Sequence, residues 1–229
     1  MEVGAVIAAA GLGVRLGRGC KALVRLNGRT LLARALTLFL SMDEITRVVV
    51  VGPHGDLDAI RAEVQAAAAG RNVIVCSGGQ TRQESVRAGL ERMVGTHYVL
   101  IHDVARPLAS PALCRRVLAG AIQSGASLPG IPPQDAVRRV AGNLLAESLD
   151  RSRLVLAQTP QAFDYRLIMK AHQAAHRAGT VADDDAELVM GAEQPVLVVE
   201  GETSNLKLTT DSDLVLLDAL LRRREAVLS

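Results

Sequence analysis

Four short runs, apolar almost throughout, set the strongest limit on this chain. They are Val3 to Ala9, "RVVVVG" (Arg47 to Gly52), "NVIVC" (Asn72 to Cys76) and "YVLIHD" (Tyr98 to Asp103), and none alternates with polar residues as a half-exposed strand would. Strands of this kind are buried on both faces, as in a parallel sheet. Between them the pattern turns helical. Leu31, Leu32, Ala35, Leu36, Phe39 and Leu40 recur at helical spacing behind Thr30, a residue with N-cap chemistry. Asp56 to Ala69 reads as a second helix. "TRQE" (Thr81 to Glu84) is a capping box for a third, and Ser110 with Pro111 supplies the cap and first turn of a fourth, ending near Ser124. The order predicts an α/β fold with a doubly wound, mostly parallel sheet and right-handed crossovers.

After Gly130 the texture changes. The next stretch carries Pro132, Pro133, alternating segments and a Gly142-Asn143 turn, and it predicts a hairpin projecting from the sheet. Helices resume near Asp164 and Asp183, followed by a strand over Pro195 to Val199 and a last helix from Asp211. A chain of 229 residues fits one domain over 1–229, with an arm at about 132–151. A net charge of +2 is too small for a nucleic-acid footprint. Cys20, Cys76 and Cys114 show no paired spacing, and the N-terminal apolar run is too short for a signal peptide or membrane span. These features predict a cytoplasmic protein with no membrane or nucleic-acid partner.

The first strand runs into "AVIAAAGLGVRLGRGCKAL" (Ala5 to Leu23), a glycine-rich loop at the strands' carboxyl edge, where such sheets bind ligands. Gly11 and Gly13 begin a dinucleotide fingerprint, but Leu16 stands where its third glycine belongs. The P-loop pattern fails because Cys20 precedes Lys21 and Ala22 follows it. What remains is Ala9, Ala10, Gly11, Gly13 and Arg15, with Lys21 six residues on. Backbone donors plus two cations suit a triphosphate; a tight turn with solvated basic residues is the alternative. "GGQTRQESV" adds Gly78, Arg82 and Ser85 at the same edge. "HDVARP" adds Asp103, an acid suited to Mg²⁺, and Arg106; the alternative is an ion pair between those two. "LDRSRL", "QTPQAF" and "NLKLTT" bring Arg151, Thr159 and Lys207.

Together these motifs, in this order, resemble the 2-C-methyl-D-erythritol 4-phosphate cytidylyltransferases, from about Val3 to Leu221. The resemblance implies a Rossmann-like nucleotidyltransferase fold with a projecting β-hairpin arm. It implies transfer of CMP from CTP to 2-C-methyl-D-erythritol 4-phosphate with Mg²⁺ at Asp103. Arg15 and Lys21 would stabilise the transition state at the α-phosphate. Ala9, Ala10, Gly11, Gly13, Gly78, Arg82 and Ser85 would bind the nucleotide. Arg106, Asp135, Arg151, Thr159 and Lys207 would bind the acceptor, with Arg151 carried by the arm into the other subunit of a homodimer. The chain departs from the family pattern at Cys20, Gln80, Ala136, Asp183 and Ser204. A cytidylyltransferase for ribitol 5-phosphate, a silent nucleotide-binding module and an NAD-dependent oxidoreductase are the rivals.

Three further features have plain readings. His172 and His176 sit at zinc-ligand spacing without a third ligand, so solvent-exposed histidines are expected. Asp183 to Asp185 complement a helix N-terminus, and "RRRE" (Arg222 to Glu225) reads as a cationic last turn.

Overall fold

The computed structural model describes residues 1–11, 19–68 and 70–228, with 225, 227 and 228 as backbone alone. β1 (Val3–Ala8) leads to a small ribbon, β2 (Arg25–Leu26) with β3 (Arg29–Thr30), and then to α1 (Leu31–Leu40). β4 (Ile45–Gly52), α2 (Leu57–Ala67), β5 (Val73–Ser77), α3 (Arg82–Leu90), β6 (Tyr98–Asp103) and α4 (Pro111–Ser124) continue the alternation. β1 is central and pairs in parallel with β4 and β6, while β4 pairs in parallel with β5.

The two-sided burial expected of these strands is borne out for β1, β4 and β6, whereas β5 stands at the edge of the sheet and is only partly buried except at Cys76. Side chains alternate across a strand, so Ala5, Ile7, Val48 and Val50 enter one core layer with Leu36, Phe39, Leu113, Val117 and Leu217. Val6, Val49 and Val51 enter the other, with Val86, Leu90, Phe163, Ile168 and Val189. Helices therefore cover both faces, as a doubly wound sheet requires. α3 lies so close to the sheet that a Cβ on Gly89 would stand 2.6 Å from Val6 and 2.8 Å from Val51.

The helix signals behave as their chemistry demands. Thr30 accepts from the Ala33 N–H, the Thr81–Glu84 capping box closes in both directions, and Ser110 accepts from the Leu113 N–H. The second helix starts later than expected. His54–Asp56 forms a 3₁₀ turn, and the Asp56 side chain makes no capping bond. Ala69, the expected end of that helix, lies outside the described residues.

Beyond Ser124 the sheet gains strands that the sequence did not announce. β7 (Ala126–Ile131) is buried beside β11, although its "ASLPGI" lacks β-branched residues before Ile131 and contains Pro129 and Gly130. β8 (Arg138–Ala141) and β9 (Leu144–Ser148) form the predicted hairpin, turning at Gly142-Asn143 with Gly142 at φ +59°. This ribbon is separate from the main sheet and every residue in both strands is exposed. β10 (Leu156–Ala157) and β11 (Gln161–Asp164) then return antiparallel to β7, and β11 also pairs antiparallel with β6. α5 (Tyr165–Ala178), α6 (Asp185–Gly191), β12 (Leu197–Glu200) and α7 (Asp211–Leu228) complete the chain, with β12 parallel to β7. The main sheet is thus mostly parallel at β1, β4, β5 and β6, and mixed at its far side.

Two expectations are corrected. His176 is exposed, but His172 is fully buried, because α5 packs that face against α6 and the ring meets Asp185. Arg222 to Arg224 are not the last turn, because nothing in "EAVL" stops the helix and α7 runs on to Leu228. Among the described residues, no helix is long and apolar enough to cross a membrane.

Candidate active site

A cavity of about 720 Å³ opens at the carboxyl ends of β1, β4, β5 and β6, the edge where open α/β sheets bind ligands. Ala10 and Gly11 border it after β1, His54 after β4, Gly78 to Arg82 after β5, and Asp103 after β6. Lys21 and Lys207 supply two cations to the same wall. Ala9 lies just behind, fully buried, with its N–H donating to the Val51 carbonyl. Gly13 and Arg15 lie outside the described residues. The described residues on either side of them meet, because the Lys21 N–H donates to the Gly11 carbonyl at 3.2 Å. Lys21 Nζ donates to the Leu208 carbonyl at 3.0 Å, which ties the first loop to the segment carrying Lys207.

The second glycine turn is tightly built. The Gly78 N–H donates to the Gly52 carbonyl at 2.8 Å. A Cβ at Gly78 would lie 2.5 Å from Ser85 Oγ and 2.9 Å from the Ala10 Cβ, so only glycine lets the two loops approach this closely. Ser85 Oγ accepts from the Gly79 N–H and donates to the Thr81 carbonyl. The wall therefore has fixed polar groups and little side-chain freedom.

Asp103 is the electrostatic centre. Its Oδ1 accepts from Arg82 Nε at 2.9 Å and its Oδ2 from Lys207 Nζ at 2.7 Å. Burial alone would raise this carboxyl, but Arg82 and Lys207 outweigh it and hold it well below the ordinary carboxylate range. The alternative pairing with Arg106 is not what forms. Arg106 reaches the carbonyls of Asn205 (2.8 Å) and Ala157 (3.3 Å) instead, and so pins together the returning segments behind the floor. Thr159 is also behind the floor, not on the cavity wall. Its hydroxyl oxygen accepts the Asp103 N–H at 3.0 Å and meets His102 Nδ1 at 3.2 Å. Because His102 Nε2 faces the Arg106 carbonyl, that nitrogen carries the hydrogen and Nδ1 accepts from Thr159.

Several participants carry no local signal in the sequence. His102 looked like one more residue of a buried strand. Asn205 is fully buried and donates to the Thr159 carbonyl at 2.8 Å. Asp185 is not the capping acid, because Asp184 caps α6, accepting from the Glu187 N–H. Asp185 turns inward, to Arg82 Nη1 at 2.9 Å and to His172 Nε2 at 3.0 Å. The order of "DDD" gave no sign of which acid would point inward. Arg151 and Asp135 are exposed and neither lines the cavity; Arg151 Nη1 donates to the Gln134 carbonyl.

A divalent cation fits this donor set in one way. Asp103 is the one carboxylate among the described cavity residues, and no cluster of three potential ligands exists among the described residues. A single acid suffices for Mg²⁺ when phosphate oxygens and water supply the other ligands. The cavity thus offers two backbone turns, three cations (Lys21, Arg82 and Lys207) and one hard oxygen ligand, a set matched to a nucleoside triphosphate.

A family model described as 2-C-methyl-D-erythritol 4-phosphate cytidylyltransferase matches residues 3–223. The curated protein of that name from Thermus thermophilus is 42% identical over 222 residues, which cover 97% of this chain and 98% of its own. Its namesake from Geobacillus kaustophilus is 37% identical over 232 residues, covering 99% and 100%. The crystal structure of the Thermus thermophilus enzyme superposes with a TM-score of 0.82 at 39% identity, over 97% of this chain and 100% of that one. The 4-diphosphocytidyl-2C-methyl-D-erythritol synthase of Anaerococcus prevotii gives 0.85 at 28% identity, over 96% and 98%. Sequence and fold agree along nearly the whole length, so the chain belongs to the 2-C-methyl-D-erythritol 4-phosphate cytidylyltransferase family.

Proposed function

We propose that this chain transfers CMP from CTP to 2-C-methyl-D-erythritol 4-phosphate, releasing pyrophosphate and 4-diphosphocytidyl-2-C-methyl-D-erythritol in isoprenoid precursor synthesis. The observation that carries the reading is the convergence of Lys21, Lys207 and Asp103 on one cavity walled by two glycine turns. A phosphate oxygen of the acceptor attacks the α-phosphorus of CTP in line. A new P–O bond forms as the bond to the bridging oxygen breaks, and pyrophosphate carries away the electron pair. The nucleophile is already an anion, so no strong base is needed. Catalysis becomes positioning and charge neutralisation.

Each residue has a part in that scheme. Ala10 and Gly11 offer backbone to the triphosphate, and Lys21 with Arg15 offsets charge growing at the α-phosphorus. Gly78 and Ser85 form the base-side wall, where an unpaired buried group penalises the wrong base. Lys207 leaves Asp103 in part to hold the acceptor phosphate; its side chain is 42% exposed and has room to turn. Mg²⁺ at Asp103 would supply positive charge to the phosphate oxygens. Arg106 and Thr159 act from behind, fixing the Asp103 backbone.

The arm completes the site across a homodimer in this reading. Val140, Leu144 and Leu145 are 59%, 75% and 75% exposed on a ribbon whose strands pair with no other described strand of the subunit, which is what a surface awaiting a second copy looks like. Arg151 and Asp135 at its base would then serve the neighbour's acceptor site. Phosphorylated metabolites as substrates, and three free buried cysteines, favour a cytoplasmic setting. A panel of CTP, UTP, ATP and GTP against methylerythritol phosphate and ribitol 5-phosphate, followed by pyrophosphate release, tests the reading. CTP with methylerythritol phosphate should dominate; preferred use of ribitol 5-phosphate would reassign the acceptor, and equal turnover of ATP would overturn the base-side wall.

A further inference from the structure

We propose that Asp185, one layer behind the cavity, sets the negative charge that Asp103 presents to a divalent cation, acting through the shared guanidinium of Arg82. The inference rests on the reading of Asp103 as the metal-binding acid. Arg82 is held by two carboxylates at once, with Nε 2.9 Å from Asp103 Oδ1 and Nη1 2.9 Å from Asp185 Oδ2. Lys207 lies on the other oxygen of Asp103 at 2.7 Å, and His172 donates from Nε2 to the other oxygen of Asp185 at 3.0 Å. Lys207, Asp103, Arg82 and Asp185 thus alternate in sign along a single chain of contacts.

Asp185 has no other business at the cavity. Its side chain is 1% exposed and that of His172 is 0% exposed, and neither lines the pocket. Burial alone would raise the Asp185 carboxyl, but Arg82 and the His172 N–H outweigh it and keep the carboxyl below its ordinary range. A buried, unscreened charge acts strongly on its neighbours. With Asp185 ionised, the Arg82 charge is divided between two acids, and Asp103 retains net negative character beside its two cations. Without it, Arg82 and Lys207 both fall to Asp103, and the cavity floor gains a positive charge.

That gain has opposite effects on the two ligands, which separates charge tuning from simple support of the fold. A floor made more positive repels a divalent cation but attracts a metal-free triphosphate. Asp185→Asn keeps the shape and removes the charge. Two constants decide the matter: Mn²⁺ binding, from the resonance of the free ion with a CTP analogue carrying a methylene between its α and β phosphorus atoms, and calorimetric binding of CTP in a metal chelator. The expected result is a Mn²⁺ dissociation constant raised about tenfold and metal-free CTP bound about threefold more tightly. If both ligands bind more weakly, or neither constant moves, the tuning role is overturned. If the wild-type protein binds no Mn²⁺ beyond what the analogue alone takes up, it is the metal reading of Asp103 that fails. Should Asp185→Asn not fold, Asp185→Ser removes the same charge and leaves space for water in place of a buried amide. Loss of folding in both variants would overturn the proposal and make Asp185 a support of the fold.

Discussion

Lys207 Nζ and Asp103 Oδ2 lie 2.7 Å apart, so the segment that follows β12 is joined by one ion pair to the carboxyl end of β6. Residues 104 sequence positions apart meet here, and their backbones support the pairing. The Leu208 N–H donates to the Ala105 carbonyl at 2.8 Å, and Arg106 reaches the Asn205 carbonyl. The site is therefore closed from its far side by chain that arrives late in the sequence.

Lys207→Gln should lower kcat/KM for methylerythritol phosphate by about 10²–10³, the usual cost of removing one charged donor from a reacting phosphoryl group. Buried Asp103 keeps its pairing with Arg82, so the melting temperature should fall only modestly. A variant with near wild-type kcat/KM would reduce Lys207 to a structural partner of Asp103. Steady-state kinetics at saturating CTP measure the effect.

Gly78→Ala should weaken CTP binding by tenfold or more while leaving the protein folded, a cost of about 1.4 kcal/mol or above. The new methyl group would stand 2.5 Å from Ser85 Oγ and 2.9 Å from the Ala10 Cβ, so the two loops must part. Both border the cavity, and any parting alters its base-side wall. Calorimetric titration with CTP checks this; unchanged affinity would show that the wall does not contact the nucleotide.

His102 should make the protein acid-sensitive well above the carboxylate range. Burial is the main cause that pushes its pKa down, from 6.5 to about 4. Between those values the unfolded chain binds a proton that the folded protein refuses, so stability falls as pH falls from about 6.5 to 4. The full difference is on the order of 3 kcal/mol. Asp103 and Asp185 have lowered pKa values, so their contribution is present above 3.8 and lost only below it, in a second and more acidic phase. Urea unfolding at pH 7, 5.5 and 4.5 should show the first phase, and His102→Gln should flatten it. A wild-type profile already flat over that interval would refute the assignment.

Local chemistry made much of this fold legible. The Ser110 cap, Pro111 and the end at Ser124 were all read from neighbours in sequence, as was the two-residue turn at Gly142-Asn143. β7 was not legible, because its burial between β11, β12 and α4 overrides a loop-like composition with Pro129 and Gly130. At the site the glycines and cations announced themselves, whereas their partners did not. Arg82 borders the cavity as a nucleotide-side residue would, but its pairing with both Asp103 and Asp185 could not be read from its neighbours in sequence. His172 looked exposed because nothing near it in sequence predicts that Asp185, thirteen residues on, would turn inward to meet it. Pairings across the fold leave no local trace in a single chain.

The arm yields the sharpest test, because it separates a shared site from a private one. Arg151 follows the ribbon directly, is exposed, and does not line the candidate active-site cavity of its own subunit. In the proposed homodimer it completes the opposite site, while Lys21 serves the site of its own chain. Lys21→Ala and Arg151→Ala homodimers should each be nearly inactive. In a mixed dimer, the chain bearing Arg151→Ala keeps its own Lys21 and receives an intact Arg151 from its partner. One of the two sites is then whole and the other carries both defects. Random exchange makes about half of all dimers mixed, so about one quarter of wild-type activity should return, as twofold symmetry requires. If Arg151 served its own subunit, every site in the mixture would carry one defect. Absence of recovery after subunit exchange has been demonstrated would therefore reject the shared site, even in a protein that proved dimeric.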